Sequence, residues 1–296
     1  MLHTKQNFEF LSHFTYYVPG VADMFILLAW LLVGALLGNF LTLGLSAAMG
    51  PDAGMEYGTL VSYPVMFIPA MIYASIKSRD AGYKSSGLLV DSNNFGKAGF
   101  GVCALVVAVA TLALAFMTDA VNALMPAMPE WLENVLKSMT QGNLLINLLC
   151  VSVMAPIFEE WLCRGMVLRG LLGKGMKPVW AIVISAAFFA LIHMNPWQAV
   201  PAFLLGCLFG YVYYRTGSLK LTMLMHCTNN TFAVICSNIS GLEEMDNWQE
   251  VFPAAGYWTI FACCTVIVVL TVLFLRKIDL KSCKGNIDEV PSVFGE

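Results

Sequence analysis

The chain has 296 residues, 58% of them hydrophobic and 12% charged, whereas about 25% of an ordinary soluble domain is charged. That balance, with a mean hydropathy of +0.73, excludes a soluble globular domain and points to an all-α, polytopic membrane protein. The net charge of −3, with no long basic or acidic block, speaks against nucleic acid as a partner.

Residues 1–20 are a mixed-polarity flank, expected in the cytoplasm, and precede seven runs without Asp, Glu, Lys or Arg. The runs are Met24 to Pro51, Tyr57 to Ile76, Ala98 to Thr118, Asn143 to Phe158, Pro178 to Tyr214, Leu221 to Leu242 and Val251 to Leu275. A helix needs about 20 apolar residues to cross a membrane, and the 37 residues from Pro178 to Tyr214 are too many for one. Asn195-Pro196 is a turn signal in its middle, so that run should form a hairpin, giving eight transmembrane helices. Pro64 and Pro69 should kink the second span, which neighbouring helices can tolerate. Between the third and fourth spans, Asp119 to Met139 places Trp131, Leu132, Val135 and Leu136 among Glu130, Glu133 and Lys137. This is the spacing of an interfacial amphipathic helix, expected on the outer surface. Trp180, Trp197 and Trp258 fall near span ends, where an aromatic belt would place them. The expected layout is one transmembrane domain over 21–275 with a cytoplasmic tail over 276–296.

Positive charge alternates from loop to loop. Lys77, Arg79, Lys84 and Lys97 follow the second span, Arg169, Lys174 and Lys177 the fourth, Arg215 and Lys220 the sixth, and Arg276, Lys277, Lys281 and Lys284 the eighth. The other loops are mainly acidic, with Asp119, Glu130 and Glu133 in one and Glu243, Glu244, Asp246 and Glu250 in another. By the positive-inside rule both termini are cytoplasmic, and the expected location is a bacterial cytoplasmic membrane. The apolar run that follows the flank exceeds the usual signal-peptide core, so the first span is expected to stay in the mature protein. Nine cysteines, without C-x-x-C spacing and mostly inside spans, read as buried thiols.

Three polar clusters interrupt the apolar runs: Glu159 to Arg164, Phe189 to His193, and His226 to Asn230. Charge inside a membrane-spanning stretch is costly and is read as functional by default. Glu160 and Arg164 are i,i+4 neighbours, as are Phe189 and His193, and His226 and Asn230. Glu159, about 100° round the helix from Glu160, faces elsewhere. Counting from the basic turn at Gly173 to Lys177 puts Glu159 and His193 at about the same depth, with His226 near them. A carboxylate, two imidazoles and an amide in one cavity are what peptide-bond hydrolysis requires. A carboxylate kept from bulk water can take a proton from water near neutral pH, which makes Glu159 the candidate base. His193 would hold or polarise the same water, and His226 with Asn230 would stabilise the oxyanion. Glu160 with Arg164 reads as a supporting ion pair, Phe189 as packing that orients His193, and Asn229 as a helix contact off the His226 face.

In this stretch the sequence resembles the CAAX protease and bacteriocin-processing family of intramembrane proteases, also called Abi or Rce1-like. Its pattern E-E-x-x-x-R, F-x-x-x-H and H-x-x-x-N occurs in order within about 143–240. The resemblance implies an eight-helix intramembrane endopeptidase with Glu159, His193, His226 and Asn230 catalytic, supported by Glu160 and Arg164. The family is commonly labelled metalloprotease. Glu159 or Glu160 with His193 and His226 would supply three zinc ligands, whereas a metal-free glutamate mechanism fits Asn230 better. The implied partners are membrane lipid and a membrane-associated protein or peptide substrate. The competing reading is a transporter or channel using the same Glu and His residues as a proton or ion site, although the halves show no repeat.

Overall fold

The computed structural model describes residues 11–82, 87–140, 143–239 and 247–280. The start of the flank, Lys84, the acidic residues Glu243, Glu244 and Asp246, and the tail beyond 280 lie outside the described residues. The fold is all-α: α1 (Val21–Met49), α2 (Pro51–Ala81), α3 (Gly99–Asn122), α4 (Glu130–Thr140), α5 (Leu144–Gly173), α6 (Pro178–Leu191), α7 (Pro196–Thr216), α8 (Leu219–Cys236) and α9 (Ala254–Arg276). Five of these, α1, α2, α3 with the short turn before it, α5 and α9, are long and apolar enough to cross a membrane. With α6, α7 and α8 antiparallel between them, the arrangement is compatible with eight crossings. Large apolar side chains such as Phe25, Phe40, Leu105, Val179 and Leu270 are exposed along these helices. Such a surface suits lipid and not water.

The local sequence explains where the helices begin and end. The long apolar run breaks at Asn195-Pro196: Asn195 caps α7 by accepting from the Gln198 N–H (2.9 Å), and Pro196 occupies the first turn, where no N–H is needed. The next turn uses Gly217 at φ 62°, followed by Ser218, whose hydroxyl caps α8. Helix α2 continues through Pro64 and Pro69 as one element of 31 residues. α4 forms where the amphipathic pattern lies, with Leu132 buried and Trp131 exposed. Asp119 departs from the expectation of an outer-loop charge. It sits in the last turns of α3, buried, and accepts from the Trp248 N–H (3.0 Å) and the Tyr257 hydroxyl (2.9 Å). The apolar run simply continues past it, and burial is tolerated because both carboxylate oxygens find donors.

Helices α1 and α2 pack by backbone approach. A Cβ at Gly34 would lie 2.0 Å from the Met66 carbonyl oxygen, and one at Gly54 would lie 2.1 Å from Ser46 Cα. Small residues permit this contact in a setting where lipid offers no hydrophobic drive between helices.

Arg169, fully buried near the basic end of α5, closes that end of the fold. Its five N–H donors all meet backbone carbonyls: those of Gly165 (2.6 Å), Leu88 (2.7 Å), Thr15 (3.2 Å), Phe14 (3.2 Å) and Tyr17. One guanidinium thereby ties the segment before α1 and the α2–α3 connection to α5. Gly170, next to it, lets the Pro19 carbonyl approach to 2.2 Å of where a Cβ would stand.

Lysine offers three donors in a compact head and cannot reproduce this fork. Arg169→Lys is therefore expected to leave buried carbonyls unpaired and to cost about 3 kcal/mol, read as a lower melting temperature in detergent. An unchanged melting temperature would show that the carbonyls are satisfied otherwise.

Candidate active site

Helix α5 is not wound uniformly. It holds α-helical turns over Ala155–Glu160, flanked by π-helical turns over Leu148–Met154 and Trp161–Leu168. The two glutamates end the central α-helical piece, between two widened stretches of the kind that often mark functional sites. Pro156 supplies one local reason. It has no N–H, so the i→i+5 bond of a π turn to the Val151 carbonyl cannot form there. Asn230, on α8, donates its Nδ2 to that carbonyl instead (2.8 Å). An amide read from sequence as part of the reacting set thus also satisfies a backbone acceptor left open by a proline.

The two glutamates have different surroundings. Glu160 and Arg164 are fully buried, and Arg164 Nη1 donates to Glu160 Oε1 at 2.8 Å. Arg164 Nη2 donates to the Gly206 carbonyl on α7 (3.0 Å), and its guanidinium lies over the rings of Phe189 (4.5 Å) and Phe209 (5.4 Å). A Cβ at Gly206 would stand 3.2 Å from that Nη2, so the close pass of α7 depends on glycine. His226, also buried, brings Nδ1 to 3.1 Å from the same Glu160 Oε1. The carboxylate accepts, so Nδ1 carries a proton, and Nε2 is the ring nitrogen not taken by Glu160.

Glu159 points away from this group. Its Oε1 accepts from the Tyr63 hydroxyl of α2, and its buried Oε2 has no hydrogen-bond partner among the described residues. His193 lies just beyond the last residue of α6, in the turn and not within the helix, as the i,i+4 reading from Phe189 assumed. Its Nδ1 is 2.8 Å from the Phe189 carbonyl. A carbonyl only accepts, so the neutral ring keeps its proton on Nδ1 and a lone pair on Nε2. Phe189 stands edge-on to both imidazoles, with centroids 5.1 Å from His193 and 5.4 Å from His226.

A cavity of about 1280 Å³ is lined by Glu159, His193, His226 and Asn230, together with Tyr63 and Asn229. Glu160 and Arg164 are not among its lining residues. Asn229 departs from the sequence expectation of a helix contact: it faces the cavity and donates to Asn230 Oδ1 (3.1 Å). The cavity is wide enough to span the 100° step between successive residues. Tyr63 is the residue that sequence reasoning missed. It sits 96 positions from Glu159 in an apolar run, and a hydroxyl at membrane depth was the one available signal.

The zinc set drawn from sequence is not assembled. Among the described residues, no three His, Cys, Asp or Glu side chains are grouped to hold a metal ion. One atom of each candidate is engaged, Glu160 Oε1 by Arg164 and His226, Glu159 Oε1 by Tyr63 and His193 Nδ1 by a carbonyl, while Glu159 Oε2 and the Nε2 atoms of both imidazoles are not. As placed, these residues are not gathered into a three-ligand group.

Comparison with curated proteins and with solved structures gives no match. Comparison with protein families does: residues 141–232, which hold all three polar clusters, match the family described as type II CAAX prenyl endopeptidase Rce1-like.

Proposed function

We propose that this integral membrane protein is an intramembrane endopeptidase in which Glu159 is the base and His193 shares the attacking water. The observation that carries the reading is the division between the glutamates. Both keep a buried Oε2 without a partner among the described residues, but Glu160 is paired through Oε1 with Arg164 and His226 and does not line the cavity, whereas Glu159 faces it beside His193, His226 and Asn230. The match to a protease family over the same residues supports it.

In this mechanism a water held by Glu159 Oε2 and His193 Nε2 gives a proton to Glu159 as its oxygen attacks the scissile carbonyl. Tyr63 fixes Oε1, so the reactive oxygen is the other one. The developing oxyanion is met by Asn230, whose second Nδ2 hydrogen is not needed for Val151, and by Nε2–H of His226 in its doubly protonated form, whose Nδ1–H is held by Glu160. The tetrahedral carbon then releases its nitrogen, which takes the proton from Glu159. One C–N bond is broken, one C–O bond is formed, and an amine and a carboxylic acid leave, the acid then giving its proton to water. The substrate class is a membrane-associated protein or peptide.

Glu159→Gln is expected to slow cleavage by about 10²- to 10⁴-fold, the contribution of a positioned base, without lowering the melting temperature. The measurement compares peptides released from membranes carrying the parent chain or the variant, by mass spectrometry; undiminished release would overturn the assignment. Tyr63→Phe, which frees Oε1 but keeps the ring, is expected to slow cleavage roughly tenfold at unchanged stability. Glu160→Ala should behave differently. Stranding Arg164 in the core is expected to cost about 3 kcal/mol, seen as a drop in melting temperature. A Glu160→Ala protein that melts like the parent but is inactive would reassign the base to Glu160.

A further inference from the structure

The cavity is not placed symmetrically along the helices. Its lining comes mainly from the parts of the long helices towards one end: Asp52 to Phe67 in α2, Asn122 at the end of α3, Asn143 to Glu159 in the first half of α5, and His226 to Ala233 from the middle of α8 onward, and it reaches as far as Leu31 of α1 and Phe209 of α7. α4 and the α6–α7 turn lie across the same end, where exposed Trp131 and Met194 mark the mouth. Nothing in the lining comes from the stretches 68–121, 160–188 or 210–225, which lead to the opposite end.

The basic residues stand at that opposite end. Arg79 closes α2, Lys97 precedes α3, Lys174 and Lys177 join α5 to α6, Arg215 ends α7 and Arg276 ends α9. At the mouth end, Lys137 is the one basic residue among those described, and it is paired with Glu133 at 2.6 Å. Positive loops remain in the cytoplasm. The same rule therefore orients the cavity.

We propose that the active site is loaded from the non-cytoplasmic side, by an extended polypeptide segment exposed at the outer face of the membrane. This rests on the endopeptidase reading and names the side and form of its substrate. The chemistry of the lining suits such a segment. Between the mouth and Glu159 the wall carries the amides of Asn122, Asn134, Asn147 and Gln198, besides those of Asn143 and Asn195, which cap helices. Amide side chains both donate and accept, as a peptide backbone does, so they can accompany a chain that has left water without requiring a particular side chain. Asp52 and Glu56 at the rim make it anionic, which favours segments without acidic residues near the cut.

The test uses the full-length protein in intact cells, with Asp52→Cys at the mouth and Lys174→Cys in the α5–α6 turn, and a sulfonated maleimide that does not cross membranes. The parent chain, with its native cysteines, sets the background. Asp52→Cys should be labelled in intact cells and Lys174→Cys only after permeabilisation. Labelling Asp52→Cys should then diminish peptide release relative to the same variant unlabelled. The reverse labelling pattern overturns the proposal, as does full release from labelled Asp52→Cys. If no peptide release is found with the parent chain, the endopeptidase reading fails while the labelling still decides which way the cavity faces.

Discussion

The arrangement of the site depends on a cation kept from water. Arg164 has no route to solvent, so everything around it is constrained to stabilise it: Glu160 one turn earlier, the Gly206 carbonyl, and the faces of Phe189 and Phe209. Isolated burial of such a charge would be prohibitive. The contacts come from α5, α6 and α7, and His226 joins from α8 through the same carboxylate. One ion pair thereby fixes the mutual positions of the four helices that carry the polar clusters. The groups facing the cavity are attached to this frame: Glu159 is next to Glu160 in sequence, and Phe189 lies four residues before His193. Apart from His226, which belongs to both, the frame and the groups proposed to react are different residues on the same helices.

Much of this was legible in the sequence, for identifiable reasons. The apolar runs, the Asn195-Pro196 break and the amphipathic stretch of α4 follow from local chemistry, and the corresponding helices lie where those signals put them. The Glu160–Arg164 pair was readable because an i,i+4 carboxylate and guanidinium share a face. What was not legible depends on approach between distant segments. Tyr63 and Glu159 meet because α1 and α2 pack at glycine distance and set α2 against α5, which no local pattern encodes. Asp119 reads as a loop charge from its position at the end of an apolar run, and becomes internal only when Trp248 and Tyr257 close over it.

The π turns of α5 belong to the same category. Sequence-level geometry assumes 3.6 residues per turn throughout, and that suffices for the pairing of Glu160 and Arg164. It does not anticipate that Pro156 leaves the Val151 carbonyl to Asn230, nor that the glutamates stand between two widened stretches. The widened backbone and the amide that completes it come from different helices, so neither is interpretable alone. His193, outside the regular part of α6, shows the same limit: spacing placed it on a helix, whereas its ring is held by the carbonyl that the helix leaves open at its end.

The carbonyl clasp of Arg169 bears on how the molecule is assembled. Its acceptors at Phe14, Thr15 and Tyr17 leave the ribosome more than 150 residues before the guanidinium that needs them. The segment before α1 has earlier partners, the Ser78 hydroxyl for the Tyr16 N–H and the Leu88 N–H for the Thr15 carbonyl, but its contacts with the guanidinium must wait until α5 is made. Contacts so distant in the chain form late, after the entropy of closing a long loop has been overcome. The stretch that is synthesised first thus has its full set of partners only once the helix that bears the glutamate pair has been made.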